Sequence, residues 1–280
     1  MKLSNRQCWV EIQAQAAQIN HFVLKKNNFE YIWQGDPKYW SGRNPILFPI
    51  VGHTYSGHYR IDGKTYTMGN HGLARHAEFK VKEHSRNKAV LEFTSDEKTK
   101  EQYPFDFSLK VKFELQETKL AMEYIVTNKS KVPMPFSFGL HPAFNCPLDP
   151  NERFSDYYLE LEKKEVLNRF DLATGKFIKD PKETKVLKLK RKQLAETIIL
   201  KDQTSEYVRL TNGKQFVEVQ SKNYPYLAFW SKPQAPFVCL EPWQGHSDFQ
   251  ANRTPFAKRE GTIVLEPGKH YRFRNYILIG

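Results

Sequence analysis

Apolar and polar residues alternate with period two along many short stretches of this chain. Phe79-Lys80-Val81-Lys82, Phe107 to Leu115 (FSLKVKFEL), Leu159-Glu160-Leu161 and Phe216-Val217-Glu218-Val219 read this way. So do Thr262-Ile263-Val264-Leu265 and Tyr271-Arg272-Phe273-Arg274. Alternation of this kind gives a strand one buried face and one wet face. Turn formers punctuate the runs: Gly35-Asp36-Pro37, Asp62-Gly63, Asn128-Lys129-Ser130, Thr174-Gly175, Thr211-Asn212-Gly213 and Pro267-Gly268. Many short strands at this spacing predict an all-β fold, a large antiparallel β-sandwich of two large sheets. Helical pattern is scarce. Residues 182–197 (KETKVLKLKRKQLAET) fit a helix, but VLKLK within them also alternates. This stretch, the most basic in the chain, is expected to be a solvated excursion. No linker, strong repeat or break in composition divides the sequence, so one domain over residues 1–280 is expected.

Composition supports a packed core. Of 280 residues, 40% are hydrophobic and 26% charged, which argues against disorder. The aromatic share is high, with 20 Phe, 14 Tyr and 5 Trp, and favours strands or a ring-lined cleft. No apolar run approaches the roughly 18 residues of a membrane helix. The opening MKLSNRQCWVEIQ has no apolar signal core, so a cytoplasmic protein with no membrane partner is expected. Cys8, Cys146 and Cys239 are scattered and odd in number, which excludes a disulfide framework and a zinc site built on cysteines. The net charge of +12 fits either a polyanion partner or a Lys-rich solvated surface. The sequence holds no RNA- or DNA-binding motif, so no nucleic-acid partner is expected.

Four segments break the alternation and gather ionisable and aromatic side chains at the ends of apolar runs. They are residues 40–52 (WSGRNPILFPIVG), 70–76 (NHGLARH), 136–145 (FSFGLHPAFN) and 239–248 (CLEPWQGHSD). A strand end lets a rigid sheet hold a reactive group toward a cleft. His141 precedes Pro142, and the pre-proline position is pushed to extended geometry; the plain alternative is a buried histidine satisfied by a carbonyl. Glu241 lies between Val238-Cys239-Leu240 and Pro242-Trp243. A carboxylate there is costly unless it is paired or used; the plain alternative is an ion pair with an arginine. His71 and Arg75 sit in HGLAR, which also reads as an ordinary turn. His71 and His76, five apart in a loop, are a weak metal pair, so no metal is expected. There is no G-x-S-x-G, P-loop or G-x-G-x-x-G. What remains is a His and a Glu beside many rings, the equipment for proton transfer on a sugar. Sugars offer C–H faces to Trp and Phe and hydroxyls to Arg, His and Asn.

At these segments the sequence resembles the aldose 1-epimerase (galactose mutarotase-like) family, and within it a divergent branch of aldose epimerase relatives. Residues 29–37 (FEYIWQGDP), Trp40, residues 45–49 (PILFP), HGLAR, residues 138–145, residues 238–243 (VCLEPW) and residues 265–271 (LEPGKHY) carry the resemblance over nearly the whole chain. It implies a large antiparallel β-sandwich with a sugar cleft on one concave sheet. It also implies that Glu241 is the general base and His141 the general acid. His71 and an arginine, either Arg43 or Arg75, would hold the sugar, with Phe144 and Trp243 as walls. The family's galactose enzymes carry a sugar-binding aspartate between the catalytic His and Glu. Asp202 lies in that interval, but in the setting of an ordinary strand-end turn.

The implied reaction interconverts the α and β anomers of a hexose and needs no cofactor. Three other readings stand beside it: a non-catalytic sugar binder on the same fold, an enzyme for phosphorylated hexoses drawing on Arg43, Arg75 and Lys232, and a glycosidase, for which only Glu241 has the right setting.

Overall fold

The computed structural model describes residues 1–280. Strand dominates, and the α-helices are two six-residue turns, Glu97–Gln102 and Arg191–Glu196. The first begins at an Asp96 cap whose carboxylate accepts from the Thr99 N–H, while the Thr99 hydroxyl receives the Asp96 N–H. The basic stretch divides between two elements. Its alternating half completes strand Lys176–Lys188, and only its end, Arg191–Glu196, is helical.

One hydrogen-bonded network joins 15 strands. Its path runs Ile46–Leu47, Gly139–Leu140, Phe237–Trp243, Tyr226–Trp230, Ile198–Lys201, Tyr158–Asp171, Tyr207–Thr211, Phe216–Gln220, His270–Ile279, Lys119–Asn128, Phe107–Gln116, Lys88–Thr94 and Lys80–His84. Lys119–Asn128 buries every second residue along its whole length, as alternation requires. A further sheet of 4 strands, Lys2–Ser4, Cys8–Ile12, Ile19–Leu24 and Phe29–Glu30, packs Leu3, Val10 and Phe22 into the same core.

The long network closes over itself. Phe138, beside Gly139–Leu140, and Phe273, in His270–Ile279, are separated by seven strand steps along the path. Laid flat, seven steps span about 33 Å at roughly 4.8 Å per strand. Their rings nevertheless stack with centroids 4.3 Å apart. The sheet therefore curls until its halves face each other, and a cluster of 60 buried residues fills the space between. The expected sandwich is present, but its layers are continuous in hydrogen bonding and not two separate sheets. One curled sheet leaves few open edges for unwanted pairing.

Candidate active site

The site is organised by Phe237–Trp243, a strand whose seven residues are all buried. Gly139 pairs with Trp243, and Ala143 pairs with Cys239. Carrying that register between the two pairs sets His141 opposite Glu241. The His141 Nε2 lies 3.2 Å from the Glu241 Oε2. Alternation then sorts the strand. Val238 and Leu240 enter the main core, while Phe237 and Cys239 pack with Trp33 and Ala143 on the other face. Glu241 and Trp243, in step with Cys239, share that second face. On the opposite flank Ala228 pairs with Glu241 and Trp230 with Cys239. The small residue leaves space over the carboxylate, and the large one walls it.

A cavity of about 510 Å³ opens above this pair. His71, Arg75, His141, Glu241 and Trp243 all line it, together with Trp40, Trp230, Gly52, His53, Asn70 and Ser247. The Trp40 ring lies 4.9 Å from that of His141 at 30°, and the Trp230 ring meets it nearly edge-on at 5.7 Å. His71 approaches from a third side at 5.4 Å. A flat C–H surface entering here meets aromatic faces, and its hydroxyls meet His, Arg, Asn and Ser.

Two expected residues lie elsewhere. Phe144 pairs with Val238, one step out of phase with His141, so its fully buried ring joins the main core and not the cavity wall. Arg43 donates from Nη2 to the Gln34 carbonyl at 2.9 Å and supports the turn at Gly35. It is absent from the cavity lining, which leaves Arg75 as the arginine there. Trp230, Glu196 and Thr197 line the cavity without having been singled out from the sequence. Trp230 ends the apolar run YLAFW and carried a weak signal; the other two are placed by a helix end that no spacing rule locates.

His71 is held by its backbone. Its φ is 65°, and Gly72 follows at 75°. The His71 N–H donates to the Gly52 carbonyl at 2.7 Å, and its own carbonyl accepts from Phe48. The Gly52 N–H donates to the ring Nδ1 at 3.0 Å. With Nδ1 an acceptor, the neutral ring carries its proton on Nε2. A Cβ at Gly72 would lie 2.4 Å from the Phe48 carbonyl oxygen, in a conformation that side chains resist. Gly72→Ala is therefore expected to lower stability by roughly 2 kcal/mol or more. Urea unfolding measures this directly, and an unchanged midpoint would refute the close approach.

Electrostatics single out the central pair. Glu241 is 1% exposed, and neither carboxylate oxygen has a hydrogen-bond partner, because the contact with His141 is close but not aligned. Burial pushes the Glu241 pKa well above the ordinary 4.5, opposed only by the Trp243 indole. Burial likewise pulls His141 down to about 3, with Arg75 acting in the same direction. His71 is lowered by burial first and then by His141 and Arg75. A buried carboxyl without a hydrogen-bond partner, beside an imidazole whose other nitrogen, Nδ1, is also unpartnered, is costly to the fold, and such groups gather where chemistry is done.

Fold and site together define a β-sandwich with a carboxyl–imidazole pair at the floor of a ring-walled cavity. The sequence matches the Aldose 1-epimerase family over residues 1–276, and the chain belongs to that family. Among curated relatives it is similar to protein LacX (chromosomal) of Lactococcus lactis subsp. lactis, 30% identical over 264 residues that cover 88% of each chain. Among solved structures it is similar to a galactose mutarotase-like protein from Lactobacillus casei. That likeness has a TM-score of 0.94 and 29% identity, with 100% of this chain and 99% of the other covered. A galactose mutarotase related enzyme from Lactobacillus acidophilus gives a TM-score of 0.91 at 27% identity, covering 100% and 97%. The fold is thus galactose mutarotase-like. No helix is long and apolar enough to cross a membrane.

Proposed function

We propose that this protein is an aldose 1-epimerase acting on a free hexose, with Glu241 and His141 as its acid–base pair. The observation that carries this reading is the buried, unpartnered Glu241 carboxyl 3.2 Å from His141 under the Trp40 and Trp230 rings. Glu241 takes the proton from the C1 hydroxyl, and His141 delivers one to the ring oxygen. The C1–ring oxygen bond breaks, the aldehyde end rotates, and the ring recloses from its other face with the roles reversed. A carboxylate with an imidazolium and a carboxylic acid with a neutral imidazole hold the same number of protons. The pair can therefore serve both directions without changing net charge, and a dry site favours the neutral arrangement between turnovers. Sugar hydroxyls supply the hydrogen bonds that the empty carboxyl lacks. His71, donating from Nε2, and Arg75 fix the sugar's position, which is worth as much to the rate as the proton transfer itself.

The cavity favours a neutral sugar over a phosphorylated one. Arg75 is the single Lys or Arg in its lining, and Arg43 and Lys232 lie outside it. A phosphate site needs converging cations or a helix N-terminus. Anomer exchange measured by NMR on free and 6-phosphorylated hexoses tests this reading. A free hexose is expected to be equilibrated with the higher kcat/KM. Preference for the phosphate ester would overturn the assignment of substrate, and no acceleration of any sugar would favour the sugar-binding reading.

A further inference from the structure

Cys239 stands two residues before Glu241, and the two side chains share one face of Phe237–Trp243. The Cys239 Sγ, a Glu241 carboxylate oxygen and a His141 ring nitrogen all lie within 4.8 Å of one another, and all three residues are buried. The Glu241 oxygens and the His141 Nδ1 have no hydrogen-bond partner. We propose that these three side chains form a binding site for one thiophilic divalent cation of the Zn²⁺ and Cd²⁺ class, with a fourth position open to the cavity.

The spacing suits such an ion. Tetrahedral bonds of about 2.0–2.1 Å to nitrogen and oxygen put those ligand atoms about 3.3 Å apart. The His141 Nε2 and Glu241 Oε2 are already 3.2 Å apart. A zinc–sulfur bond of about 2.3 Å asks for roughly 3.6 Å from sulfur to each neighbour, so from a separation within 4.8 Å Cys239 must close in by about 1.2 Å at most. On binding, the thiol proton and any proton on the carboxyl are released to solvent. The thiolate and carboxylate then balance the two charges of the cation, which a buried site requires. Sulfur and imidazole select a softer ion over Mg²⁺ or Ca²⁺. Spacing rules find no site of this kind, because its one cysteine joins a histidine from a neighbouring strand. A cation here occupies the acid–base pair, so it also blocks anomer exchange. That consequence rests on the function proposed above; the binding itself does not.

Cadmium titration monitored by the ultraviolet thiolate-to-cadmium band tests the site without any sugar present. The wild-type protein is expected to saturate at one Cd²⁺ per chain, with Zn²⁺ displacing it. Cys239→Ala should abolish the band, and Cys239→Ser serves if the alanine variant does not fold. Glu241→Gln should weaken binding by about tenfold or more, since losing even an outer-shell partner of a ligand typically costs that much. No band in natively folded wild-type protein would overturn the proposal. So would a band that survives in the Cys239 variant, since it would then belong to Cys8 or Cys146, or unchanged affinity in Glu241→Gln. Binding that leaves anomer exchange at its full rate would keep the cation site and remove the reaction from His141 and Glu241.

Discussion

Glu241→Gln is expected to slow anomer exchange by roughly 10² or more, the usual scale for a positioned general base. The amide keeps the shape of the side chain and can still hydrogen-bond a sugar hydroxyl, but it cannot accept the C1 proton. Affinity for the sugar should therefore change little while turnover falls. The surroundings sharpen the contrast. Glu241 is 1% exposed and its oxygens make no aligned protein hydrogen bond, so little protein hydrogen bonding is lost when the oxygen that takes the proton becomes an NH₂. A carboxylate held for structure would be expected in an ion pair with an arginine, and here the basic group within ion-pair distance is the His141 imidazole, which burial keeps neutral. Rates and unfolding midpoints measured on the same preparations separate the two roles. A well-folded Glu241→Gln protein with an unchanged rate would remove the mechanism.

Much of this site was readable before the fold was known, and the reasons lie in particular residues. His141 and Glu241 each break an apolar run with a group that is costly to bury, His71 and Arg75 gather in the turn HGLAR, and the structure brings all four to one cavity. What the sequence withheld was phase. Phe144 and Trp230 are both rings at the ends of apolar runs. Only the cross-strand register decides that the first enters the core with Val238 and the second shares a face with Cys239. Arg43 was ambiguous for another reason. An arginine in Gly-Arg-Asn-Pro can bind a ligand or a backbone carbonyl, and here it takes the Gln34 carbonyl. The alternating runs announced strands, but alternation is silent on whether two layers are separate sheets or one sheet that curls. That depends on the order of pairing, which joins 15 strands into one network.

Acid stability offers a second large effect, because the two central groups pull it in opposite directions. His141 has a folded pKa of about 3 against an ordinary 6.5. A depressed pKa contributes stability that is present above 6.5 and lost as pH falls toward 3. Glu241 is raised above its ordinary 4.5. Its contribution is fully present below 4.5 and is lost as pH rises through its folded value. From 4.5 up to the raised folded value of Glu241 the two slopes have opposite signs, and below 4.5 only the histidine acts. Each unbalanced group changes stability by about 1.4 kcal/mol per pH unit. His71 has the same sign as His141 and is common to every variant. Glu241→Gln should accordingly lose stability relative to wild type as pH is lowered toward 4.5, at a slope of about 1.4 kcal/mol per pH unit. His141→Asn should gain at the same slope as pH falls below 6.5 toward 3. Differences from wild type cancel the background of other titrating groups, so urea midpoints at a series of pH values suffice. Three parallel curves would mean that neither side chain is held in its neutral form.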